Sequence, residues 1–158
     1  MNNLVRKIPE DMDDLREEYQ NKVPMEGTCG PTLLAFLLGI SVREVILNWS
    51  IPYRGYCSFT ELEKELNKYG FQTQRIKTKD KSDYILPEGV EIAIARIQWK
   101  GKYSHWTIAE KNTHFIYIEK SINEIYLFDN TEGWFEPNSL IAKDYMEKGY
   151  ITSLLSIK

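Results

Sequence analysis

Up to Gly70 the apolar residues of this chain recur at helical spacing behind helix-start residues, and from Phe71 onward they gather in short β-branched and aromatic runs. That change of period, helices first and strands afterwards, selects an α+β architecture over a doubly wound α/β fold, in which the two would alternate. The expected division is a helical half over about 12–70 and a strand-rich half over about 71–158. With 158 residues, 42% of them hydrophobic, the chain suits one packed domain and is short for two.

Within the helical half, Pro31 stands where a first helical turn tolerates it. Leu33, Leu34, Phe36, Leu37 and Leu38 follow as an almost wholly apolar segment, and Gly39 closes it. The spacing predicts a buried helix there. Ser41 with Glu44 and Ser58 with Glu61 have the capping-box spacing and predict two shorter amphipathic helices, the second stopped by Gly70. Lys77 to Asp83, ahead of Pro87 and Gly89, reads as a loose polar stretch. Strands are expected over Phe71 to Ile76, Val90 to Trp99, His114 to Glu119, Ile125 to Phe128 and Ile151 to Ile157, with a helix over Ser139 to Glu147.

Composition narrows the function classes. A net charge of −3, from interspersed acids and bases, gives no field for a phosphate backbone, so nucleic acid is not expected as a partner. The charged start, MNNLVRKIPEDMDDLREEYQ, lacks a signal-peptide core, and no apolar run is long enough to span a bilayer. A cytoplasmic protein without membrane attachment is expected, with Cys29 and Cys57 as thiols rather than a disulfide. Those cysteines and the two histidines, His105 and His114, do not form close ligand pairs, so no metal site is expected. Trp99, Trp106 and Trp134 read as packing residues.

The chemistry centres on Cys29. In Gly27-Thr28-Cys29-Gly30-Pro31 the thiol opens a helix, where unpaired N–H groups and the positive end of the dipole favour an anion. The Cys29 N–H is there to serve as an oxyanion donor. A thiol nucleophile needs a base, and only His105 and His114 are available. If His114 opens a strand, Glu119 to Glu124 turns and Ile125 to Phe128 returns, then Asp129 ends level with His114 and can orient its ring. A strand begun at His105 would instead bring Glu119 or Lys120 alongside it, so the hairpin favours His114 and keeps His105 as the alternative base. Cys57, also ahead of a capped helix, has no histidine placed for it. Such a Cys-His-Asp constellation performs acyl transfer without a cofactor.

The run Cys29-Gly30-Pro31-Thr32-Leu33-Leu34-Ala35, with Leu38-Gly39-Ile40-Ser41-Val42, Glu44-Val45, Ser58-Phe59 through Leu66, and Tyr69-Gly70-Phe71, resembles the first half of papain-like peptidases of the bacteriocin leader-processing type. Ala95-Arg96-Ile97-Gln98-Trp99, Thr113-His114-Phe115, Phe128-Asp129-Asn130 and Gly133-Trp134 are similar to small papain-like proteins of phage and prophage genomes. The resemblance covers most of Thr28 to Phe135. It implies a cysteine peptidase acting on a protein or peptide, with nucleophile, base and orienting acid at Cys29, His114 and Asp129. Its alternative is a phage-type pseudoenzyme that binds and inhibits a protein partner. Family members commonly carry a glutamine a few residues before the nucleophile as oxyanion donor, whereas Val23 stands six before Cys29. Gln20, Asn21 and Gln98 are the candidate replacements.

Overall fold

The computed structural model describes residues 4–22, 27–101 and 113–158, with backbone only at 20–22. Four helices come first: α1 (Met12–Lys22), α2 (Cys29–Leu38), α3 (Val42–Leu47) and α4 (Phe59–Lys68). Strands β1 (Thr73–Lys81), β2 (Ile92–Trp99), β3 (Thr113–Ser121), β4 (Glu124–Asp129) and β5 (Gly133–Phe135) follow. Helix α5 (Leu140–Lys148) and strand β6 (Gly149–Ile157) complete the α+β fold.

The helix ends follow the capping chemistry of the sequence. Gly39 closes α2 in the left-handed region (φ 74°), its N–H donating to the Ala35 carbonyl. Ser41 Oγ accepts from Glu44 N at the start of α3, and Ser58 with Glu61 forms a complete reciprocal capping box on α4. Asp11 adds to the α3 cap by accepting from the N–H groups of Val42 and Arg43, at 2.8 and 3.0 Å.

All strand pairs are antiparallel, in the order β1-β6-β2-β3-β4-β5. The sheet is covered on both faces. Leu33, Leu34, Phe36 and Leu37 of α2 and Leu62 and Leu66 of α4 pack on Ile94, Phe115, Tyr117, Phe128 and Leu155. On the other face Ala142 and Tyr145 of α5 cover Ala95, Ile97, Ile116, Ile118, Leu127 and Leu154. Two-sided cover explains why β2 and β3 read as continuous apolar runs rather than alternating ones. Among the described residues no helix is long and apolar enough to cross a membrane.

Two segments depart from the sequence expectation. Lys77 to Lys81 is not loose but continues β1, which sits at the sheet edge and pairs with β6 alone. An edge strand keeps its charges in water, so polarity there does not preclude pairing. A register shift between Lys77 and Lys81, with Asp80 at φ 37°, marks the irregularity. The hairpin joining β3 and β4 is also tighter than expected, turning on Ile122 and Asn123 (φ 64°) rather than over Glu119 to Glu124.

Candidate active site

Cys29 is the first residue of α2 and is half-buried. The first turn of that helix carries no acidic residue, and Thr28 at the N-cap makes no side-chain cap bond to it. Its leading N–H groups therefore lack intrahelical acceptors. The Thr28 hydroxyl, fully buried, instead accepts from Asn130 Nδ2 at 3.3 Å. The head of α2 is thus joined to the residue after β4, and Arg16 of α1 donates to the Asn130 carbonyl at 2.5 Å.

Packing sets the same alignment from the other end. Phe36 of α2 stacks on Phe128 of β4 with ring centroids 3.9 Å apart, and meets Tyr117 of β3 edge-on at 5.1 Å. Phe128 immediately precedes Asp129, so one aromatic stack fixes the thiol-bearing helix against the strand that ends in the carboxylate.

His114 Nε2 lies 2.8 Å from Asp129 Oδ2. A carboxylate only accepts, so Nε2 carries the proton in this bond and Nδ1 is the nitrogen left for Cys29. The Cys29 thiol lies close enough to the ring to help raise its pKa. The His114 side chain is 14% exposed and Asp129 is fully buried. Burial by itself would lower the His114 pKa, but the hydrogen bonds and negative charges of Asp129 and Cys29 outweigh it and raise it to about 10.

Asp129 is held on both oxygens. Oδ2 also accepts from Tyr145 Oη at 2.6 Å, and Oδ1 accepts from the N–H groups of Thr131 and Glu132 at 3.0 and 2.7 Å. Burial alone would push this carboxyl up; His114, the Tyr145 hydroxyl and the Glu132 N–H outweigh it and hold it below the usual range. Trp99 stacks over His114 at 6.1 Å, and Tyr145 meets the ring edge-on at 5.4 Å.

The structure thus brings Cys29, His114 and Asp129 together. The alternative base His105, with Trp106 and Val23, lies outside the described residues, and of Gln20 and Asn21 only the backbone, in α1, is described. Gln98 lies on β2 opposite Thr113, its Nε2 donating to the Trp99 carbonyl at 3.1 Å and its Oε1 accepting from Arg96 at 3.3 Å. Cys57 is 4% exposed and packs against Gly30; burial and the nearby Cys29 push its thiol pKa well up. Sequence reasoning missed Tyr145 and Asn130. Tyr145 looked like any apolar-face aromatic of the last helix, and no local signal distinguished it.

Among the described residues, five helices on a six-stranded antiparallel sheet, with a thiol at the head of α2, give a papain-like α+β fold. Among solved structures the chain is similar to a double glycine motif protease from an AMS/PCAT transporter, solved in complex with the leader peptide. The two share 16% identity over 85% of this chain and 84% of that one, with a TM-score of 0.51. It is similar also to the peptidase domain of Streptococcus mutans ComA, at 14% identity over 99% of both chains and a TM-score of 0.50. At these identities the likeness is one of fold. No family model matches the chain, and no curated protein matches it.

Proposed function

We propose that this chain is a cysteine peptidase using Cys29 as nucleophile, His114 as base and then acid, and Asp129 as the orienting carboxylate, on a protein or peptide substrate. The observation that carries this reading is the His114 ring, held by a buried carboxylate at 2.8 Å and with the Cys29 thiol near enough to help raise its pKa. The fold shared with peptidase domains, one of them solved with a leader peptide, adds support.

In the first step the Cys29 sulfur, its proton already held on His114 Nδ1, attacks the scissile carbonyl carbon. The oxyanion so formed meets the Cys29 N–H at the uncapped head of α2. The protonated ring then gives its proton to the leaving amine, leaving a thioester. Water, deprotonated by His114, attacks that thioester and releases the acid and the thiol. Asp129 keeps the ring oriented throughout without itself taking the proton. Gln98 is the described side-chain amide available as a second oxyanion donor, provided it exchanges its bond to the Trp99 carbonyl for one to substrate.

The test is iodoacetamide alkylation of Cys29 at neutral pH in a Cys57→Ala background. The rate should fall by about tenfold or more in His114→Ala, since thiolate supply governs reactivity. A slow rate indifferent to His114 would sink the peptidase reading and favour the alternative, a papain-like binding protein that has kept the fold.

A further inference from the structure

On the face of the sheet that α2 and α4 cover, a cavity of about 550 Å³ lies near the candidate site, and the proposed peptidase reaction does not use it. Its walls carry the three cations Arg75, Lys77 and Arg96, and the hydroxyls of Ser58, Thr60, Thr113, Thr152 and Ser153, over the ring of Phe59. No acidic residue is among these lining residues. In a chain of net charge −3 this is a local reversal of sign.

Sheet register makes the arrangement. Lys77 of β1, Ser153 of β6 and Arg96 of β2 lie directly across from one another, and so point to one face. Arg96 is braced by Thr152 Oγ1 at 2.8 Å and Gln98 Oε1 at 3.3 Å. Arg75 is partly neutralised by Glu63 at 3.2 Å. The Lys77 ammonium has no acidic partner among the described residues and faces water. The capped N-terminus of α4 closes one wall.

The cavity is linked to the thiol-bearing helix through packed neighbours. Thr113 on its wall precedes His114. Phe59 on its floor lies 5.6 Å from the ring of Phe115, which in turn packs against Gly30, the residue after Cys29.

We infer that this cavity is a substrate subsite for a carboxylate carried by the peptide, either an Asp or Glu side chain or the chain's own C-terminus. The inference rests on the peptidase reading for its link to cleavage, not for the binding itself. Three cations with fixed hydroxyl donors match a carboxylate's acceptor-only oxygens. The volume exceeds one acidic side chain and accommodates neighbouring peptide backbone.

The test is affinity selection from two randomised decapeptide libraries, one with amidated and one with free C-termini, on the Cys29→Ala protein. Retained peptides should be enriched in Asp or Glu over Asn or Gln by about tenfold in the amidated library, the size of preference a charge-assisted bond gives. Enrichment confined to the free-acid library, without side-chain preference, assigns the subsite to the C-terminus. Lys77→Glu, at an exposed position, should abolish either preference, and added salt should weaken it. No retention, or retention indifferent to acidity or to Lys77→Glu, overturns the subsite. The wild-type protein acting on the same libraries reads the peptidase separately. Acidic retention without cleavage would overturn the peptidase and leave the subsite, and cleavage without acidic preference would do the reverse.

Discussion

Tyr145 of α5 donates its hydroxyl to Asp129 Oδ2 at 2.6 Å, the same oxygen that meets His114 Nε2. The last helix thereby reaches the candidate site from the opposite face to α2. Tyr145→Phe keeps the ring, which packs on Trp99, His114 and Phe135, and removes one donor from a fully buried carboxylate. The expected cost is about 1–3 kcal/mol in urea unfolding. Asp129 is depressed in the fold, so this bond's contribution is present above about pH 4 and lost as pH falls. The gap between wild type and Tyr145→Phe should therefore close on acidification; a gap constant from pH 7 to pH 3 would show that only packing was lost.

The raised His114 pKa gives a second pH signature with the opposite sign. A histidine whose folded pKa is about 10, against 6.5 unfolded, contributes stability that is complete below about pH 6.5 and disappears as pH rises through 10. The difference in melting temperature between wild type and His114→Ala should accordingly shrink from pH 6.5 toward pH 10. Nitrogen NMR of the imidazole at pH 8 should find both ring nitrogens of His114 protonated, and Asp129→Asn should bring the ring's titration back toward neutrality. A neutral His114 ring at pH 8 in the wild type would contradict the electrostatics described above.

Asn130 supplies a third test, because it joins two elements that local sequence does not relate. Its Nδ2 holds the buried Thr28 hydroxyl at the head of α2. Asn130→Ala should destabilise the fold by about 1–2 kcal/mol, as expected when a buried hydroxyl loses its partner. It should also slow Cys29 alkylation while leaving the His114 ring protonated. Unchanged alkylation would mean that the Phe36–Phe128 stack alone fixes the thiol.

Local chemistry made α2 legible in the sequence: proline in its first turn, an apolar run and a terminal glycine each act within a few residues. Pairing of His114 with Asp129 was legible for a subtler reason. The expected hairpin put them level, whereas the observed register, continued past Tyr117 and Phe128, puts Asp129 opposite Ile116. An offset of two residues preserves the face on which both side chains lie, and their length bridges the rest. An odd offset would have separated them. What the sequence hid are contacts set by tertiary packing: Tyr145 on Asp129, Asn130 on Thr28, and the row of Lys77, Ser153 and Arg96 that only the insertion of β6 between β1 and β2 creates.

Gly30 ties the thiol to its buried neighbour and can be probed without touching the candidate triad. A Cβ added at Gly30 would lie 2.6 Å from Cys57 Sγ, with Phe115 Cδ2 and Leu62 Cδ1 at ordinary contact, 3.7 and 3.8 Å. Only the sulfur is in the way. Gly30→Ala alone should cost about 1–3 kcal/mol, because a packed core gives way only by moving the helix or an off-rotamer side chain. Cys57→Ala alone removes a buried sulfur and should cost about 1 kcal/mol. Combined, the two should be more stable than their sum predicts by at least about 1 kcal/mol, since the new methyl then takes the space the sulfur left. Additive losses in a double-mutant cycle would show that the approach of Cys57 is not what excludes a side chain at Gly30. A favourable coupling, with Cys29 alkylation recovered in the double variant, would establish that this sulfur sets how closely the thiol-bearing helix seats on β3.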